Sequence, residues 1–138
     1  MYEVVTMVKQ LRIPTWLMTS SADLRWSELF QIIAKTQGKN ITEEQIEALS
    51  YNERCSMLNL NTVVVAKHFQ HRLETLFTEL LLSDKKPIGK IIDYALRIEF
   101  QMRWSPHLHA LIWTSDCPKL TSDNKEAYVE FIDKHVQA

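Results

Sequence analysis

The chain has 138 residues, 46% of them hydrophobic, and carries a formal charge of −1. That length suits one domain, residues 1–138, with a proper core, and only two glycines point to an ordered, helix-rich globule. With a pI near 6.5, bulk electrostatics advertise no nucleic-acid partner, so any such binding needs a local basic patch.

Cys55 and Cys117 stand far apart and form no C-x-x-C pair, which argues against both a zinc knuckle and a disulfide framework. Two free thiols fit a reducing, intracellular compartment. No apolar run reaches the length of about 18 residues that a membrane span needs. The start, M-Y-E-V-V-T-M-V-K-Q, lacks the charged opening and apolar middle of a signal peptide.

Residues 15–20 (T-W-L-M-T-S) follow Pro14 and read as a short buried strand. Ser21-Ala22-Asp23 then opens a helix to about residue 35, with Leu24, Leu29, Ile32 and Ile33 inward, broken by Gln37-Gly38-Lys39-Asn40. Thr42-Glu43-Glu44-Gln45 has the form of a capping box before Ile46 and Leu49, and Ser50 to Glu53 starts a further helix ending near Leu60. A long helix runs from Asn61 to about Leu82, with Val65, Phe69, Leu73, Leu76, Phe77 and Leu80 at helical spacing.

After Gly89 the period changes. Leu96, Ile98 and Phe100 alternate with Arg97, Glu99 and Gln101, as in a half-buried strand. Residues 102–106 form a loop and 107–114 the returning strand. A loop follows over 115–122, and then an amphipathic helix from Asn124 with Tyr128, Phe131, Ile132 and His135 or Val136 inward. The expected class is α+β, with a central antiparallel sheet flanked by helices.

The most informative stretch is E-F-Q-M-R-W-S-P-H-L-H, from Glu99 to His109. Successive side chains of a strand point to opposite faces, so His107 and His109 share one face while Leu108 enters the core. A register pairing Gln101 with His107 and Glu99 with His109 would gather all four on one patch of sheet, since a one-residue slip exposes the apolar face. Two imidazoles and a carboxylate favour Mg²⁺, Mn²⁺ or Zn²⁺ over Ca²⁺. The alternative is a polar outer sheet face that happens to carry two surface histidines.

The run R-I-E-F-Q-M-R-W-S-P-H-L-H-A-L-I-W resembles the metal-binding hairpin of HUH endonucleases, and most of all the Rep domain of Helitron transposons, the Helitron helicase-like domain. Residues 1–29 resemble that family's lead strand and first helix. N-T-V-V-V-A-K-H-F-Q-H-R-L-E-T-L-F resembles its long central helix, and K-P-I-G-K-I-I-D-Y-A-L-R-I-E-F-Q the strand before the histidines. The resemblance implies nicking and joining of single-stranded DNA in rolling-circle transposition, with a nuclear location. His107 and His109 would hold Mg²⁺ or Mn²⁺, with Glu99 or Gln101 third and Glu99 favoured for its charge. Arg97 and Arg103 flank the site and suit phosphate contact. Trp104 stands where the family has glycine and could stack on a base. Thr62 stands where relatives often have proline.

The family's nucleophile is a tyrosine on a helix well beyond the histidines. Of Tyr2, Tyr51, Tyr94 and Tyr128 only Tyr128 is placed by order, and its spacing to Phe131 and Ile132 suggests packing. The tyrosine, and the helicase domain of full-length relatives, are therefore expected outside this chain, which reads as truncated. A domesticated or inactive DNA-binding or interaction module is the rival reading. An unrelated zinc hydrolase lacks a visible third ligand and base.

Elsewhere, His68 and His71 sit at i and i+3 on the long helix with no organised carboxylate, which favours a core-edge role. Lys67, Arg72, Lys85, Lys86 and Lys90 are scattered basic positions, and Trp16, Trp26 and Trp113 lie in apolar patterns typical of a core.

Overall fold

The computed structural model describes residues 2–101, 105–118 and 121–136, with backbone alone for residues 2, 3, 101 and 122. Its elements are α1 (Tyr2–Leu11), β1 (Trp16–Ser21), α2 (Ser27–Thr36), α3 (Glu43–Glu47), α4 (Tyr51–Leu60) and α5 (Thr62–Thr75). A π-helical extension (Leu76–Leu81), β2 (Ile91–Gln101), β3 (Ser105–Thr114), a 3₁₀ turn (Ser122–Asn124) and α6 (Lys125–His135) follow. The strands form one antiparallel sheet in the order β1-β3-β2, so the class is α+β as expected. No helix among the described residues is long and apolar enough to cross a membrane.

The helix starts follow from side-chain chemistry. Thr42 and Gln45 exchange reciprocal bonds at the head of α3, the Thr42 N–H donating to Gln45 Oε1 at 2.9 Å and Gln45 N–H to Thr42 Oγ1 at 3.3 Å. Ser50 and Glu53 do the same for α4. The bond to Ser50 holds the Glu53 carboxyl below its ordinary value.

The start of α2 departs from expectation. Ser21 is the last residue of β1, and Asp23 turns back on its neighbours instead of opening a helix. Its carboxylate accepts from the Arg25 N–H at 2.8 Å and pairs with the Arg25 guanidinium. Such local bonds offer the backbone an alternative to helix, so α2 begins only at Ser27. Its inward face is Leu29, Phe30, Ile33 and Ala34, while Ile32 is exposed.

Three further differences lie elsewhere along the chain. Residues 2–11 form a helix to which the sequence reading assigned no element. The long helix ends as a π turn, shown by the Leu82 N–H bonding to the carbonyl of Phe77, five residues back. The wider turn moves the inward position from Leu80, which is exposed, to Leu81, which is buried. Finally, β2 begins at Ile91 rather than near residue 95, and β3 at Ser105 rather than His107. The alternation along β2 is present, yet Leu96, Ile98 and Phe100 are 44%, 43% and 53% exposed rather than half-buried on a core. β2 is an edge strand of the sheet and β3 the central one.

The chain divides into two compact units. One comprises Met1–Thr19, Glu74–Arg97 and His109–Ala138. Its buried residues include Phe77, Leu81, Ala110, Ile112, Trp113 and Phe131. Trp113 donates its indole N–H to the Arg12 carbonyl at 2.9 Å, and Trp16 donates to the Ile88 carbonyl at 2.8 Å while packing on Phe131. The buried Trp113 and the half-buried Trp16 each thereby satisfy their one polar atom.

The other unit comprises Ser20–Leu73 and Ile98–Leu108, with Leu29, Phe30, Ile33, Ile46, Leu58, Val65, Phe69 and Leu108 buried. Arg54 ties its small helices together. The guanidinium donates to the carbonyls of Leu24 at 2.8 Å, Ile46 at 2.6 Å and Leu49 at 3.2 Å, and it lies over the Phe30 ring. Three helix-end and loop carbonyls find their donor in one side chain.

In the first unit the turn before β2 depends on Gly89. Its φ is +95°, and a Cβ there would stand 2.7 Å from Asp116 Oδ1, the atom that accepts the Lys90 N–H at 3.0 Å. Gly89→Ala is expected to cost about 1–3 kcal/mol in urea unfolding, from the unfavourable φ and the lost clamp together. An unchanged midpoint would show that the turn relaxes without penalty.

Candidate functional site

β3 carries the candidate residues. Pro106, Leu108, Ala110 and Ile112 are buried, while Ser105, His107, His109 and Leu111 between them are half-buried. The alternation puts both imidazoles on the face opposite the core, as the spacing predicts. His107 falls in the unit containing Ile98–Leu108, together with Glu99, which is half-buried on β2. His109 and the exposed Arg97 fall in the other unit. None of these four is without an interaction partner.

The ring of His107 is held from β1. Ser21 Oγ lies 2.6 Å from His107 Nδ1, and the adjacent Ala22 N–H bonds to the Pro106 carbonyl at 3.1 Å, which fixes the two strands at that point. Sequence reading missed Ser21 because the strand was ended at Ser20. W-L-M-T-S-S carries no apolar–polar alternation to mark it; the exposure of β1 alternates through residue 21 only in the fold.

Arg103, Trp104 and the side chain of Gln101 lie outside the described residues. Among the described residues, no group of three or more His, Cys, Asp or Glu side chains could hold a metal ion. His107 and His109 are each an imidazole on β3, and a site made from them would need further donors. That donor chemistry, imidazole with carboxylate, carbonyl, phosphate or water oxygens, suits Mg²⁺ or Mn²⁺.

The tyrosines differ in environment. Tyr128 is half-buried on α6, one turn before the buried Phe131. Tyr94 packs against Phe77, with ring centroids 5.0 Å apart. Tyr51 is 64% exposed, but the hydrogen bond to Cys55 pushes its phenol above the ordinary value, which disfavours the attacking phenolate.

The other candidates resolve into structure. Arg72 pairs with Glu28 and stacks over Trp26 at 4.3 Å from the ring centroid, so this basic position serves packing. His68 leans on the same indole with its side chain only 8% exposed. An open groove of about 700 Å³ is lined by Asp23, Arg25, Glu43, Glu47, Tyr51 and Arg54 among others. Its three carboxylates against two guanidiniums make it a poor bed for a phosphate backbone, and the histidines are not on its walls.

Comparison with known families gives one finding. The Helitron helicase-like domain at the N-terminus matches residues 1–112, and the chain belongs to that family. The matched span includes Ser21, Glu99, His107 and His109, and membership ties the protein to a transposon-related role. No curated protein and no solved structure matches the chain.

His68, on α5, gives the fold a pH dependence of its own. Burial lowers its pKa from 6.5; Glu28 pulls the other way, and Arg72 and His71 add to the lowering. Its Nδ1 is buried with no hydrogen-bond partner among the described residues. A depressed histidine pKa means that protonation favours the unfolded chain. The contribution is complete above pH 6.5 and is lost as pH falls below that value toward the folded pKa. Urea midpoints of the wild type should drop over that window more steeply than those of His68→Phe; parallel curves would refute the assignment.

Proposed function

We propose that this domain is a metal-dependent centre for nicking and joining single-stranded DNA in rolling-circle transposition, of the HUH endonuclease type. The observation that carries the reading is the placement of His107 and His109 two residues apart on the central strand, with Leu108 and Ala110 between and beside them fully buried. The family membership supports it by its transposon link.

His107 and His109 would offer neutral nitrogen donors, with Glu99 favoured over Gln101 as the third ligand because a carboxylate brings charge to a divalent ion. When bound, Mg²⁺ or Mn²⁺ would polarise the scissile phosphate and hold it in place. The chain's own groups do the rest of the binding. Arg97 is exposed on β2 and, with Arg103, suits a forked contact to phosphate oxygens. Trp104 offers a face on which an unpaired base can stack.

The nucleophile is assigned to a tyrosine outside residues 1–138. Its oxygen forms a bond to the phosphorus as its proton passes to water, and the bond to the 3′ oxygen breaks as that oxygen takes up a proton from water, so that the proton count balances. The products are a tyrosine-linked 5′ phosphate and a free 3′ hydroxyl. Tyr94 packs against Phe77 and the phenol of Tyr51 is raised in pKa, which leaves those two poorly suited to the attack. A helicase domain and a nuclear location belong to the same reading.

Titration with Mn²⁺ tests the metal half. The wild type is expected to bind at least about tenfold more tightly than His107→Ala/His109→Ala, since two ligands are lost. Equal, negligible binding by both would sink the metal site. Labelled single-stranded DNA with Mn²⁺ and a tyrosine-bearing C-terminal extension tests the chemistry. Metal and DNA binding without any nicking would point instead to an inactive binding module.

A further inference from the structure

We infer that two copies of this chain pair edge to edge through β2, antiparallel about a two-fold axis at Ala95, with Asp93 of each facing the partner's Arg97. Nothing in this draws on the metal reading, and residues 91–97 all lie in one compact unit. β2 is an edge strand whose outer side carries no strand among the described residues. An unpaired edge offers a row of backbone donors and acceptors to any extended chain. Along this one Ile92, Tyr94 and Leu96 are exposed apolar side chains, alternating with the exposed Asp93 and Arg97.

Charge decides the occupant. On one face of an antiparallel pair, residues directly opposite each other interact, and like charges there repel. A two-fold axis at Ala95 sets Asp93 against the partner's Arg97 twice over, Tyr94 against the partner's Leu96, and the small Ala95 against itself. An axis at Leu96 sets Asp93 against the partner's Glu99, and one at Arg97 sets two guanidiniums together. An axis at Ile98 matches Arg97 with the partner's Glu99 but leaves Asp93 out. The strand is self-complementary about Ala95, as an isologous interface requires. Asp93 has capacity for the pair, since among the described residues its carboxylate accepts the Tyr94 N–H through Oδ1 at 2.8 Å and meets no cation. Arg97 already has a partner within its own chain, and the five N–H donors of a guanidinium leave room for a carboxylate as well. A net charge of −1 adds little repulsion between whole copies.

Sedimentation equilibrium of the whole chain, at up to about 0.5 mM, reveals even a weak dimer. The wild type is expected to associate reversibly as its concentration rises. Asp93→Arg and Arg97→Asp each turn two attractive pairs into two repulsive ones, so either alone should weaken the dimer about tenfold or more. Both positions are exposed, so both variants should fold. Mixed in equal amounts, the two variants should form a heterodimer about as tight as the wild-type dimer, because every guanidinium then faces a carboxylate.

A wild type that stays monomeric at every concentration overturns the inference. So does association that Asp93→Arg leaves unchanged, which is the result expected of the axis at Ile98. A mixture of the two variants that remains monomeric overturns it as well, since loss in each variant alone would then come from something other than the cross-strand pairs.

Discussion

The alternation of β3 is the constraint on which the rest of the structure depends. Leu108, Ala110 and Ile112 are fully buried, and each is separated from the next by a residue of the opposite face. A slip of one position would turn Leu108 and Ile112 to water at roughly 2 kcal/mol each and drive two imidazoles inward, unpaired. Against a total stability of about 5–15 kcal/mol, that is a large fraction. The apolar residues thus set where the histidines can be. Chemistry on the outer face is positioned by burial on the inner one.

That logic explains which features were legible in the amino-acid order. The capping box at Thr42 is local, made by residues three apart, and is present as read, while Ser50 to Glu53, read only as a helix start, forms a second one. The histidine pair is likewise local, since two residues of one strand need no knowledge of the neighbouring strands to share a face. The fold class followed from the change in period after Gly89.

What escaped was set by partners distant in sequence or by competition between nearby bonds. Whether the apolar side of β2 is covered depends on what packs against that face, which a strand's own pattern does not say; Leu96, Ile98 and Phe100 are exposed. Ser21 acquires meaning only beside His107, 86 residues away. Arg54 reads as a surface residue of a short helix until the carbonyls of Leu24, Ile46 and Leu49 surround it. The π turn at Leu76–Leu81 displaces the inward register by one residue, a shift that an ideal helical period cannot anticipate.

The edge position of β2 also governs how the protein behaves in concentrated solution. Ile92, Tyr94, Leu96, Ile98 and Phe100 present an apolar stripe along a strand whose outer side has no pairing strand among the described residues. Such a strand is a template for strand addition by other chains. Asp93, Arg97 and Glu99 interleave the stripe and act as gatekeepers, since a stacked copy would set charges against an apolar row. With a net charge of only −1, the chain has little overall repulsion to add to these three local charges.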